Sequence, residues 1–178
     1  MPSPIELSRW TFDCIQLRLP ECTNDPDWVT KLATTFYNFV GDSGKEDTGW
    51  YSDQAYRDRV YDKLKPTQDH WLSPRMVFRA AYQCNRDVLT NYYLFKQVFL
   101  TCRQVVNVTD EENGAVKYLN DGSTVKVKQL TIEKYHNLSS RWHKLNGKNL
   151  VDTSSTFPLT DVLWDWFTEY EKSVLITK

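Results

Sequence analysis

Between Ser73 and Arg103 the chain carries its longest uninterrupted apolar stripe, and that stripe limits the folds open to it. Val77, Ala80, Ala81, Cys84, Val88, Tyr92, Phe95, Phe99 and Cys102 recur mostly at spacings of three and four, the period of one helix face. Ser73-Pro74 is a cap-plus-proline start. Read as one helix toward residue 104, the segment would span about 45 Å. In a chain of 178 residues such a helix often reaches past its own core.

Other segments carry the same period. Asp25-Pro26 opens a helix with Val29, Leu32, Phe36, Phe39 and Val40 on one face, closed by Gly41 and Gly44. GDSGKEDTG, residues 41–49, reads as a polar loop. Ser52 or Asp53 starts a shorter helix with Tyr56, Val60, Tyr61 and Leu64 on one side, stopped by Pro66. Residues 131–145 read as a helix with Ile132, Tyr135, Leu138, Trp142 and Leu145 inward. Residues 151–157 read as a linker. Thr160 or Asp161 caps a C-terminal amphipathic helix at about residues 160–175, whose face is Val162, Leu163, Trp166, Phe167, Tyr170 and Val174.

Two stretches break the period. In residues 1–25, Leu7, Trp10, Cys14 and Leu17 fit a helix, whereas Ile15, Leu17 and Leu19 fit a short strand. Val116, Tyr118, Val125 and Val127 alternate around Asn120-Asp121-Gly122, a turn signal that predicts a hairpin at about residues 115–130. The expected fold is therefore mainly α: a single irregular helical domain over residues 1–178, with one long helix and a small β-hairpin insertion. Surface scaling allows a chain of this size to bury about 70% of its unfolded surface, enough for a core without staples.

Charge excludes little beyond polyanion binding. Lys and Arg number 22 and Asp and Glu 23, a formal net charge of -1, so no global field favours nucleic acid or acidic lipid. The Tyr-Arg-Lys run at residues 56–65 is neutralised by Asp58 and Asp62 at intrahelical pairing distance. Aromatic content is the outlier, with seven Trp, ten Tyr and eight Phe. Tyr and Trp anchor interfaces as well as cores.

Motifs for chemistry are missing from the chain. Cys14, Cys22, Cys84 and Cys102 form no CxxC pair and read as small hydrophobes. His136 and His143 are two helical turns apart, and His70 has no ligand partner at metal spacing. No GxSxG elbow occurs, and residues 41–49 lack the order of a phosphate loop. Asn107-Val-Thr and Asn137-Leu-Ser read as chance sequons. The N-terminus lacks the basic start and apolar core of a secretory signal, and Glu6 and Asp13 argue against a transit peptide. No stretch of about 18 apolar residues predicts a membrane span. The expectation is a protein with no catalytic residue, no metal and no cofactor, and with no nucleic-acid partner.

The middle of the chain resembles the small matrix-side subunit of the mitochondrial cytochrome bc1 complex, the subunit 7 or ubiquinone-binding protein family. The resemblance runs over residues 36–90. It rests on Phe36-Tyr37-Asn38, then Gly49 and Asp53, then Leu64 and Pro66, and finally Arg75-Met76 with Phe78-Arg79-Ala80. The family's Arg-Met-Phe-Arg order is interrupted here by Val77, and residues 105–158 have no counterpart in it. The resemblance implies a non-catalytic accessory or assembly subunit, peripheral on the matrix side of the mitochondrial inner membrane. Its partners would be a larger membrane protein complex, with cytochrome b and the core proteins in contact, and phospholipid. Arg75 and Arg79 are then candidates for meeting acidic loops or lipid head groups. Trp164, Trp166 and Tyr170 on the C-terminal face are candidates for a partner surface. The alternatives are an accessory subunit of complex I or of ATP synthase, or a small soluble enzyme without a recognisable motif.

Overall fold

The computed structural model describes residues 1–121, 126–127 and 129–176. Helix α1 spans Pro4–Arg18, α2 Glu21–Asn24 and α3 Asp27–Asp42. Strand β1 (Glu46–Ser52) leads into the short α4 (Asp53–Arg57) and a π-helical turn (Asp58–Asp62). Strand β2 (Thr67–His70) is followed by α5 (Pro74–Cys84), α6 (Asp87–Thr90) and α7 (Tyr92–Cys102). Then come β3 (Gln104–Val108), α8 (Asp110–Leu119) and the two-residue strands β4 (Asn120–Asp121) and β5 (Lys126–Val127). Helix α9 (Thr131–Leu138), β6 (Trp142–Asn146) and β7 (Asn149–Ser154) precede a 3-10 turn (Thr160–Val162) and α10 (Asp165–Ile176).

The expected mainly helical fold is corrected by this element order. The protein is α/β, 61% helical and 17% strand, with a five-stranded mixed sheet. The chain divides into two compact units, one of Met1–Glu46 with Leu72–Gln104 and one of Asp47–Trp71 with Val105–Lys178.

The first unit is helical. Ser3 caps α1 in a capping box with Glu6, which decides the helix over the strand in this segment. Its buried face is Leu7, Ser8, Thr11, Phe12 and Ile15, so Trp10, Cys14 and Leu17 point outward. Phe36 of α3 sits at the centre of the core, with its ring 5.9 Å from that of Phe78, 5.6 Å from Phe95 and 5.8 Å from Phe99.

The expected long helix is three pieces. Asn85 (φ -151°, ψ 77°) ends α5, and Asn91 (φ -111°, ψ 111°) separates α6 from α7. The Asn91 side chain accepts hydrogen bonds from the backbone of Tyr93 and Leu94. Short amide side chains compete with the helix for backbone groups, so they cap better than they continue. The apolar period survived the breaks because α5, α6 and α7 each present buried residues to one core.

The second unit holds the sheet, in the order β2-β3-β1-β6-β7. Pairings β2–β3, β1–β6 and β6–β7 are antiparallel; the sheet being mixed, β3 and β1 run parallel. Residues 46–49, expected in a loop, start β1. Gly49 permits this: its φ is +75°, and a Cβ there would lie 2.8 Å from the Leu145 carbonyl oxygen. Asn107 of β3 is buried and donates to Asp47 Oδ1 at 2.8 Å, so that sequon is part of the sheet. Strands β6 and β7 replace the end of the expected 131–145 helix and the expected linker. Helix α9 stops at Ser139, whose φ of -146° and ψ of 130° are extended. Trp142 and Leu145 therefore bury from a strand.

The expected hairpin is much reduced. Residues 110–119 form α8, and among the described residues Asn120–Asp121 pairs with Lys126–Val127. Gly122 and Val125 lie outside the described residues. The core of this unit is built on Phe157, which stacks on Tyr135 at 4.7 Å and meets Trp142 edge-on at 5.1 Å and Trp71 at 5.7 Å.

Candidate functional site

The second unit gathers the polar chemistry of the chain. His143 of β6 places Nε2 2.8 Å from Asp53 Oδ1, and Asp53 also pairs with Arg57 at 2.9 Å. Tyr56 stacks on the imidazole, with centroids 4.2 Å apart and rings 19° from parallel. Asp53 and Tyr56 are on α4, so one short helix supplies both partners. A histidine oriented by a carboxylate is two-thirds of a nucleophile-activating set. The nearby hydroxyls are committed elsewhere. Ser139 Oγ accepts from the Asp53 N–H at 3.0 Å and donates to the Arg141 carbonyl at 2.7 Å. Ser52 Oγ donates to Glu112 at 2.6 Å and accepts from the Ala55 N–H at 3.2 Å. This arrangement fastens α4 to β6.

A second polar group lies between α9 and α10. Glu171 is wholly buried and accepts from the Thr131 N–H at 3.0 Å and 3.2 Å; the Thr131 hydroxyl also donates to it. Lys134, 2% exposed, lies one turn along α9. Burial pulls its ammonium down to about 8, against the attraction of Glu171 and Asp69. Burial raises the Glu171 carboxyl, partly offset by its bonds to Thr131 and by Lys134. Tyr135 donates to Asp69 Oδ2 at 2.6 Å, and its phenol is held well above the usual range by burial and that carboxylate. A lysine that loses its proton near neutral pH has the basicity of a nucleophile or base. At 2% exposure it is enclosed by its own fold, and the bonds that join α9 to α10 here are those of Thr131 with Glu171. Sequence reading missed this group because nothing in the sequence separates Glu171 from its acidic neighbours Asp161, Asp165 and Glu169. The available signal was its position: it shares the α10 face of Phe167 and Tyr170.

The residues expected at a partner surface fall in different places. Arg75 lies over the Tyr37 ring at 4.6 Å, and Arg79 donates to Thr30 Oγ1 at 3.4 Å, so both lie against their own helical unit. Tyr170 is 4% exposed and belongs to the core. Trp164 and Trp166 are brought together: their rings stack 5.1 Å apart and 14° from parallel, half-buried at the start of α10.

Of the four cysteines, Cys14 and Cys84 are exposed and Cys22 and Cys102 buried. Among the described residues no group of three or more His, Cys, Asp or Glu side chains could hold a metal ion. No helix among them is long and apolar enough to cross a membrane.

The sheet has one conspicuous margin. Strand β7 ends the strand order, and five of its six positions are exposed. Leu150 is 49% exposed and Val151 55%.

No protein family, no curated protein and no solved structure matches the chain.

Proposed function

We propose that the chain is a non-catalytic accessory protein whose partner adds a short strand to β7. The observation that carries this reading is the edge itself. An edge strand presents a row of N–H and C=O groups that a further strand can pair. Leu150 and Val151 add apolar side chains to that edge where a soluble fold usually places charge or proline. A bulge between Lys144 and Leu145 in the β6–β7 pairing twists the margin, which disfavours edge-to-edge pairing of two copies and favours a short segment of another chain.

The assembly to which the central motifs point is the cytochrome bc1 complex, at the matrix face of the mitochondrial inner membrane. The five-stranded sheet goes beyond what that resemblance implies. Accessory docking is therefore the primary proposal and bc1 membership the finer one. Mass spectrometry of native gels run on the endogenous protein tests both. Comigration with a larger assembly, lost in a Leu150→Lys/Val151→Lys variant that still folds, is the expected result. Cytochrome b and the core proteins in the same band would support the finer proposal. Migration as a free 21.0 kDa species would overturn both.

A further inference from the structure

The ring pair at the start of α10 is bordered by acid that the fold leaves uncompensated. Asp161 lies in the 3-10 turn, Asp165 opens α10 and Glu169 lies one turn further on; all three are exposed. None of their side chains makes a hydrogen bond or an ion pair with a described residue. The dipole of α10 accounts for an acid at Asp165, but not for Glu169 or Asp161. The only basic residue of α10 is Lys172.

Elsewhere the chain places its own cations on its rings. Arg75 lies over Tyr37, Arg86 over Tyr82 and Lys96 over Tyr93. Among the described residues no basic side chain lies over Trp164 or Trp166. The rings are also held in place. The Trp164 carbonyl accepts the N–H groups of Phe167 and Thr168 at 3.0 Å and 3.1 Å. Phe167 is fully buried and meets Trp166 edge-on at 6.3 Å. A surface fixed before binding loses little entropy when it is occupied.

We infer that this surface docks an arginine-bearing, partly aliphatic segment of a partner protein. A guanidinium stacks on an indole face and pairs with a neighbouring carboxylate in the same pose, which a lysine ammonium does less well. The rings stack too closely on each other to admit a cation between them, so it takes an outer face. Val162, exposed, and Leu163, half-buried, form an apolar margin for the aliphatic part of the segment. The inference is independent of the β7 proposal: it uses different residues, and its test leaves β7 intact.

The test is fluorescence anisotropy on the full chain, with a labelled peptide in which arginine alternates with leucine. Controls carry citrulline, lysine or glutamate at the arginine positions. The arginine peptide is expected to bind about tenfold more tightly than the citrulline peptide, and the lysine peptide to fall between. Asp161→Asn/Asp165→Asn/Glu169→Gln changes only exposed side chains and should weaken arginine-peptide binding about tenfold with the melting temperature unchanged. Trp164→Leu should weaken it independently. Equal binding of the arginine and citrulline peptides overturns the inference, and so does undiminished binding by the triple variant. Cosedimentation with phosphatidylserine vesicles would make the rings a lipid contact and would also overturn it.

Discussion

Both the backbone N–H and the hydroxyl of Thr131 donate to the carboxylate of Glu171, which is wholly buried on α10. One side chain thus closes the N-terminus of α9, and Lys134 supplies the opposite charge from the next turn. Removing a partner from a buried charged group leaves the remainder uncompensated, at a cost of about 3–5 kcal/mol. Glu171→Ala should lose that much stability in urea unfolding. Glu171→Gln, which keeps an acceptor for Thr131, should lose clearly less. Equal losses would mean that the charge has no part in the contact.

The Lys134 ammonium gives a pH signature. The unfolded chain keeps this proton to the ordinary value of 10.5, whereas the folded chain releases it at about 8. Between those values the unfolded state binds more protons, so stability rises with pH, by roughly 3 kcal/mol over the whole window. Tyr135 and Cys102, raised by burial, act in the opposite direction, since the unfolded state loses their protons first. Subtracting the profile of Lys134→Met from that of the wild type removes their contribution. The difference should climb from neutral pH to pH 10.5; a flat difference refutes the assignment.

Gly49 and Gly147 both have positive φ but differ in what surrounds them. A Cβ at Gly49 would meet the Leu145 carbonyl oxygen at 2.8 Å, whereas nothing lies within 4 Å at Gly147. Gly49→Ala adds a clash to the conformational strain, so about 2–4 kcal/mol of destabilisation is expected. Gly147→Asn should cost under about 1 kcal/mol, because Asn tolerates that conformation. Thermal melts of the two variants check the contrast.

Phe36 touches three other phenylalanine rings in the helical unit. Phe36→Ala should cost about 3–5 kcal/mol. Exposed Tyr93 on α7 is the control, and Tyr93→Ala should stay within about 0.5 kcal/mol. Equal sensitivity at the two positions would contradict the packing described for α3.

Asn91 accepts from two backbone N–H groups at the start of α7. Asn91→Ala should cost about 1 kcal/mol, and Asn91→Asp, which keeps the acceptor, should cost less. Urea midpoints of the pair read the cap directly.

How much of this was legible depended on the period. Helices α3, α5 and α7 were visible because Phe36, Val77 and Phe99 repeat at helical spacing. Their breaks were not, because Asn85 and Asn91 interrupt the backbone without interrupting the stripe. The sheet was hidden for a different reason. Strand β2 is Thr-Gln-Asp-His, half-buried throughout, with no apolar alternation to find. Trp142 and Leu145 are three apart, so a bulged strand imitated a helix face. Of the partner-surface residues, Trp164 and Trp166 proved adjacent, while Tyr170 is buried: a side chain's place on an amphipathic face does not reveal which neighbour covers it.

Strand β1 lies between β3 and β6 in the sheet, yet both are synthesised after it, at residues 104–108 and 142–146. At ribosomal rates of about 5–20 residues per second, it waits roughly 5 to 20 seconds before the later of these neighbours is made. Until β3 is made Trp50 and Tyr51 have no sheet to enter, and until β6 follows one edge of β1 stays unpaired. The nascent chain therefore passes through a stage in which its central strand is open to chaperones and to self-association, and synonymous codon changes between residues 52 and 142 should alter soluble yield without altering the finished protein.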